Sequence, residues 1–258
     1  GRIRAVVASV HIPSGARRIE GAGKIVTPGL IDVGTSIGLL EVKSLADTTD
    51  FSVGGEDAIR AAFRVSDGLN PHSIVIPITR LGGVTTVATM PSGGALSGQG
   101  AIIDLDGTTA TDLIVRDPAA LYGAFNPGAA ESAGGARGAL ALLLRESLDD
   151  ARYYAMNKNA YDRAALRSLS LSRLDLEALQ LVLDKSVSLV LHASRAADIE
   201  AALRLAAEYE LDLTIMGGEE AWRRREQLAA TGTAVIVKAY RNLPIQFDQL
   251  GSRFDNAI

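Results

Sequence analysis

Apolar and polar positions alternate in blocks along most of this chain, and the blocks change period as they go. Val84-Thr85-Thr86-Val87-Ala88-Thr89 is a β-branched run between Gly82-Gly83 and Pro91-Ser92-Gly93-Gly94, the pattern of a buried strand between breakers. Similar runs predict strands at Leu30–Val33, Leu121–Phe125, Val187–Leu191, Leu211–Ile215 and Ala234–Val237. Between them the period lengthens to that of a helix. Arg137–Ala155 places Leu140, Leu143, Leu144, Leu148 and Ala151 on one face. Leu174–Leu183 is a second helix with Ser172 as its N-cap and Asp175 in its first turn. Ala196–Tyr209 and Glu219–Ala230 complete the set, and Pro71–Leu81 reads as a helix that Pro77 keeps short or kinked. Strands fed by helices, with no hairpin signals between them, imply parallel pairing through right-handed crossovers.

The fold class predicted is α/β, a (β/α)8 TIM-type barrel. Only five or six barrel strands are visible in this sequence, so the barrel is expected to be incomplete in this chain, a piece of a longer polypeptide. Arg2–Val10 is rich in Val and Ile and predicts a short strand, and His11–Gly23 a hairpin-like connection. Phe254–Ile258 reads as the start of a further helix.

Composition narrows the function classes. The chain has 258 residues, 47% hydrophobic and 22% charged, which suits one large core. Net charge is −4 without like-charge blocks; Arg223-Arg224-Arg225 lies among Glu219, Glu220 and Glu226 and reads as a solvated helix face. Nucleic acid and membrane partners are unsupported, and a small-molecule ligand and homo-oligomers remain the partners to consider. No apolar run reaches the roughly 20 residues of a membrane helix. Cysteine is absent, which removes thiolate chemistry and disulfides and fixes no compartment, cytoplasmic or exported.

Several patches together resemble one family. Gly23-Lys24 and Pro28-Gly29-Leu30-Ile31-Asp32, then Gly83–Val87, Met90–Gly94 and Ser97–Leu105 with its Gly98-Gln99-Gly100 turn, are similar to the amidohydrolase superfamily, in its imidazolonepropionase-like branch. His192-Ala193-Ser194-Arg195 and Ile215–Gly218 resemble the segments after that branch's fifth and sixth barrel strands. The resemblance implies residues 1–25 as the remnant of a small composite β-sandwich and residues 26–258 as a metal-dependent-hydrolase-like barrel, truncated at its carboxyl end. It implies hydrolysis of C–N bonds, in dipeptide or non-peptide amides, by a divalent metal such as zinc that activates water. Two first-strand His, one each from the fifth and sixth strands, and a shuttle Asp from the eighth would serve that ion. Here Gly34 and Ser36 stand at the first-strand positions, Gly217 at the sixth-strand one, and the shuttle Asp falls beyond Ile258. His192 alone matches, a remnant ligand not expected to hold metal by itself.

No cofactor is therefore expected, and no catalytic residue is assigned. Three readings stay open: an altered amidohydrolase that still cleaves a C–N bond, an inactive barrel that binds a ligand or partner, and an incomplete piece with no independent activity. Thr35, Ser36, Gln99 and Arg195 are the candidate substrate-binding residues, beside His192 at the barrel mouth. Other features read as scaffold. His11 and His72 are surface residues, Gly93–Gly98 is a loop over the mouth, and the pairs Asp149-Asp150 and Glu219-Glu220 face solvent. Asp104 and Asp106 alternate in a hairpin strand. No phosphate loop and no Gly-x-Ser-x-Gly elbow is present.

Overall fold

A computed structural model describes residues 3–52, 57–238 and 244–256. Its centre is a seven-stranded sheet whose spatial order follows the chain, β1 to β7. The strands are β1 Leu30–Thr35, β2 Val84–Thr89, β3 Leu96–Asp104, β4 Ile114–Ala124, β5 Ser188–Ala193, β6 Leu213–Gly217 and β7 Ala234–Ile236. The six strands expected from the sequence are all present, and the pairs β1/β2, β4/β5, β5/β6 and β6/β7 are parallel. β3 is an addition. It lies between β2 and β4, antiparallel to both, so the latter two point the same way.

The expected Gly98-Gln99-Gly100 turn is thus strand interior, and the loop expected over Gly93–Gly98 gives way to β3 from Leu96 onward. Close packing is the reason. A Cβ on Gly98 would lie 2.5 Å from the Phe63 carbonyl oxygen, and one on Gly100 2.4 Å from the Tyr122 ring. Glycine is needed there so that a second chain segment and an aromatic ring can approach the strand.

The sheet curls into a nearly closed barrel. Its two edge strands approach at the carboxyl end, where Cε of Lys238, past β7, lies 3.4 Å from the position of a Gly34 Cβ on β1. Alternation along the strands sorts the residues. Tyr122, Val190 and Met216 turn inward and pack together, whereas Leu121, Leu189, Leu191 and Ile215 turn outward beneath the helices.

The helices are α1 Val75–Leu81, α2 Ala110–Leu113, α3 Pro127–Ser132, α4 Arg137–Met156, α5 Lys158–Asp162, α6 Arg173–Leu183, α7 Ala196–Tyr209 and α8 Arg225–Thr231. In α4, Leu140, Leu144, Leu148 and Ala151 form the buried stripe, with Leu143 at its edge. Ser172 caps α6 as its sequence suggests, its hydroxyl accepting from the Asp175 N–H at 3.1 Å. The helix expected at Glu219–Ala230 starts later, after a turn and a 3-10 segment at Ala221–Arg224. Among the described residues no helix is long and apolar enough to cross a membrane.

The amino-terminal expectation changes. Arg2 lies outside the described residues, and from Ile3 to Gly29 there is no strand; Ile3, Val6, Ile25 and Val26 are exposed. The turn at Pro13 forms, with the Ala16 N–H donating to the Pro13 carbonyl at 3.1 Å. Without a neighbouring strand to pair with, its flanks have neither hydrogen bonds nor burial to hold them in a sheet. The expected helix near Phe254 is a turn through Asn256, and Ala257 and Ile258 lie outside the described residues.

The Asp149-Asp150 pair divides: Asp149 is exposed as expected, and Asp150 is buried. Asp149 accepts from the Tyr209 hydroxyl at 2.8 Å, and buried Asp150 accepts from the Ser170 N–H at 2.7 Å, the Ser170 hydroxyl at 2.8 Å and Arg167. Burial raises the Asp150 pKa, but the Ser170 amide, Arg167 and the Ser170 hydroxyl outweigh it and hold the carboxyl below the usual aspartate value. A lowered folded-state pKa contributes stability that is complete above the unfolded value and disappears as pH falls through the folded one. The stability gap between the wild type and Asp150→Asn is therefore expected to stay constant near neutrality and to narrow below about pH 4. Urea midpoints across that range measure it; a gap unchanged down to the lowest pH would contradict the assignment.

Candidate functional site at the barrel mouth

Parallel pairing in one register brings the carboxyl ends of β4, β5 and β6 level. Ala124 faces His192, His192 faces Met216, and Ala193 faces Gly217. The Phe125 N–H donates to the His192 carbonyl at 2.9 Å and carries the β4–β5 ladder to the rim. The next residue, Asn126, caps α3: its Oδ1 accepts from the Ala129 N–H at 3.0 Å, with Pro127 in the first turn. That cap orients the amide, and Nδ2 points to His192 Nδ1 at 3.4 Å.

The chain leaves β6 through Gly217 and Gly218, at φ +90° and +59°. This left-handed pair folds the following residues back over the mouth. The Gly218 N–H donates to the Ala193 carbonyl and the Glu220 N–H to the Ser194 carbonyl, both at 2.9 Å. The expected solvent-facing pair Glu219-Glu220 is consequently split inward. Glu220 accepts from the Ala196 N–H at the start of α7 at 2.9 Å. Glu219 is only 5% exposed; Oε1 accepts from Gln249 Nε2 at 3.0 Å, and Oε2 is buried with no hydrogen-bond partner among the described residues. A Cβ on Gly217 would lie 3.0 Å from Glu219 Oε2 and 3.2 Å from His192 Nε2.

Beside His192 opens a cavity of about 270 Å³, walled by Met90, Pro91, Tyr122, Asn126, Val190 and Met216 among others. Most of these walls are apolar, and burial pushes the Tyr122 phenol up to about 12. At the mouth's other side, Lys238 Nζ lies 3.6 Å from the position of a Gly34 Cβ. Among the described residues no three His, Cys, Asp or Glu side chains converge as a metal's ligands would.

No protein-family model and no curated protein matches the chain. A solved structure does. The crystal structure of an amidohydrolase from Thermotoga maritima MSB8 superposes with a TM-score of 0.85 at 26% identity, covering 96% of this chain. The chain has the fold of an amidohydrolase. It spans 66% of that neighbour's length.

Within this amidohydrolase fold the expected binding residues are scattered. Thr35 Oγ1 donates to the Ala88 carbonyl at 3.3 Å and accepts from the Ile37 N–H at 3.4 Å. Ser36 is half-buried just past β1. Gln99 is buried in β3, where Nε2 donates to the Ala61 carbonyl at 3.0 Å. Arg195 turns along α7 to Asp198, at 3.1 Å. None of these four lines the cavity that His192 lines. His11 and His72 are exposed. Asp104 is exposed on β3 and accepts from the Thr86 hydroxyl at 2.6 Å, and Asp106 pairs with Arg80 at 3.2 Å. Arg223 and Arg224 are more engaged than a solvated face implies. Arg223 stacks over the Trp222 ring at 4.4 Å, and Arg224 pairs with Glu200 at 2.8 Å.

Asn126, Glu219 and Lys238 are the residues that sequence reasoning passed over. The position of each, just past a parallel strand's carboxyl end, was the available signal.

Proposed function

We propose that this chain is an amidohydrolase-family barrel that binds a small molecule at its mouth without a metal, and that it is not a working C–N hydrolase. The observation that carries the reading is the hydrogen bonding around His192. Asn126 Oδ1 is committed to the Ala129 N–H, so the amide presents its NH2 group to His192 Nδ1. The tautomer that accepts from this amide has its lone pair on Nδ1 and its proton on Nε2. On that tautomer the Asn126 amide covers the lone pair through which an ion would be held.

The remaining positions agree. Gly34 and Gly217 bring no ligating side chain, and Ser36 offers a neutral hydroxyl, a poor ligand for zinc. A catalytic zinc needs about three protein ligands. These residues do not fit the metal that intact members of the family use. C–N bond hydrolysis in the imidazolonepropionase-like manner stays the ancestral activity on this reading; what favours its survival is likeness of fold, and a fold hosts many functions.

The experiment is metal analysis of the full-length protein purified without chelators, with assays on N-acyl amino acids, dipeptides and cyclic amides. Metal far below one equivalent and no turnover are expected. His192→Asn should then change stability by no more than about 1 kcal/mol. Stoichiometric zinc, lost together with turnover in His192→Asn, would overturn the reading.

A further inference from the structure

The walls of the cavity beside His192 carry no Asp, Glu, Lys or Arg. Two of their polar groups are hydroxyls in an unusual position. Ser97 on β3 is 6% exposed and Tyr122 on β4 is 7% exposed, yet neither hydroxyl makes a hydrogen bond among the described residues. Neither oxygen is sealed off, since the polar atoms that are both enclosed and unpartnered belong to other residues. Both residues line this cavity and are otherwise packed in, so the surface each hydroxyl keeps opens into it. Strand pairing holds the two residues side by side. Gly98 pairs with Tyr122 and Leu96 with Gly123, and Ser97 sits at the register shift between them.

We propose that this cavity binds an uncharged, single-ring aromatic molecule whose one polar group, a hydroxyl or a carbonyl, bonds to the Ser97 and Tyr122 hydroxyls. This inference rests on the metal-free reading of the same mouth.

Charge sets the class of ligand. A carboxylate or ammonium entering walls without an opposite charge loses its hydration for neutral partners only, at a far higher cost than desolvating a hydroxyl. Tyr122 does not supply a charge, because burial pushes its phenol up to about 12 and keeps it protonated at neutral pH. His192 is neutral while its Nδ1 accepts from Asn126. Two buried hydroxyls, each able to donate and accept, are costly to leave without partners and suit a neutral group that can do either.

Size and wall chemistry select the ring. Met90 and Met216 bring thioethers to the inner cluster that Tyr122 and Val190 complete. Sulfur and aromatic edges both pack favourably against an aromatic ring. An apolar cavity of about 150 Å³ holds benzene. The space here, about 270 Å³, takes one ring with a short polar substituent.

The test is calorimetric titration of the full-length protein with benzyl alcohol and acetophenone. Benzoate and benzylamine keep the ring and add a charge; toluene keeps the ring and has no polar group. Benzyl alcohol or acetophenone should bind one to one at millimolar concentration, and the two charged compounds about tenfold more weakly or worse. Ser97→Ala and Tyr122→Phe each remove one hydroxyl. Each should weaken the polar ligand about three- to tenfold, the worth of one hydrogen bond, and change toluene binding by less than about twofold.

Circular dichroism confirms that the variants fold. Equal or tighter binding of a charged compound, equal losses for toluene and the polar ligand, indifference to either substitution, or no binding of any compound would overturn the proposal. Metal analysis of the same protein separates the two readings. With metal absent, such a result removes only the neutral aromatic ligand, whereas stoichiometric zinc removes the metal-free mouth on which it stands.

Discussion

Replacing Phe125 with Ala is expected to destabilise the protein by about 3–5 kcal/mol, the range for truncating a buried aromatic ring. Phe125 is 2% exposed and packs in the main cluster between the sheet and α4, α6 and α7. Its position makes the loss more than local. The residue closes β4, its N–H holds the His192 carbonyl, and Asn126 follows it directly. A cavity at this point loosens both strand ends that present the mouth. Urea unfolding measures the effect, with Phe125→Leu as the control that keeps most of the volume. A loss below about 1 kcal/mol for Phe125→Ala would mean that the β4 terminus is not packed as described.

Asp198→Ala should cost about 3 kcal/mol, a value typical of removing one partner from a buried ion pair. Asp198 is 2% exposed. It receives Arg137 Nε at 3.0 and 3.2 Å and Arg195 Nη2 at 3.1 Å, and Arg137 continues to Asp248 at 3.2 Å. One carboxylate therefore ties the start of α4, the start of α7 and the segment around residue 248. Removing it leaves two guanidinium groups without their central acceptor. The same carboxylate keeps Arg195 turned along α7, away from the cavity. A double-mutant cycle with Arg137→Ala isolates the pair. Additive losses in that cycle would show that the two residues do not interact.

Local signals were legible in the sequence. α7 runs Ala196–Tyr209 as its apolar spacing indicates, and Ser172 caps α6, because period and cap are both encoded within a few residues. β3 was misread. Gly98 and Gly100 look like turn residues, yet they are there for the approach of Phe63 and the Tyr122 ring, partners distant in sequence. The inward turn of Glu219-Glu220 is hidden from the sequence for a related reason. Local pattern alone puts the pair at the start of a helix, but the left-handed Gly217-Gly218 turn sends one carboxylate to Gln249 and the other to the Ala196 amide. At the site itself, the absence of side chains at Gly34 and Gly217 could be read directly from the sequence. What fills their places could not, because Lys238 reaches Gly34 only after the sheet has curled. Asn126 likewise meets His192 across 66 residues of chain, through a cap whose effect on an imidazole has no local signature.

The metal-free reading of the mouth depends on which nitrogen of His192 carries the proton. Nitrogen-15 NMR of the histidine side chains, assigned with His192→Asn and recorded before and after adding zinc, reports this directly. The account predicts a proton on Nε2, a lone pair on Nδ1 and no change in either signal with one equivalent of zinc. A proton on Nδ1, with the Nε2 signal moving stoichiometrically as zinc is added, would contradict it.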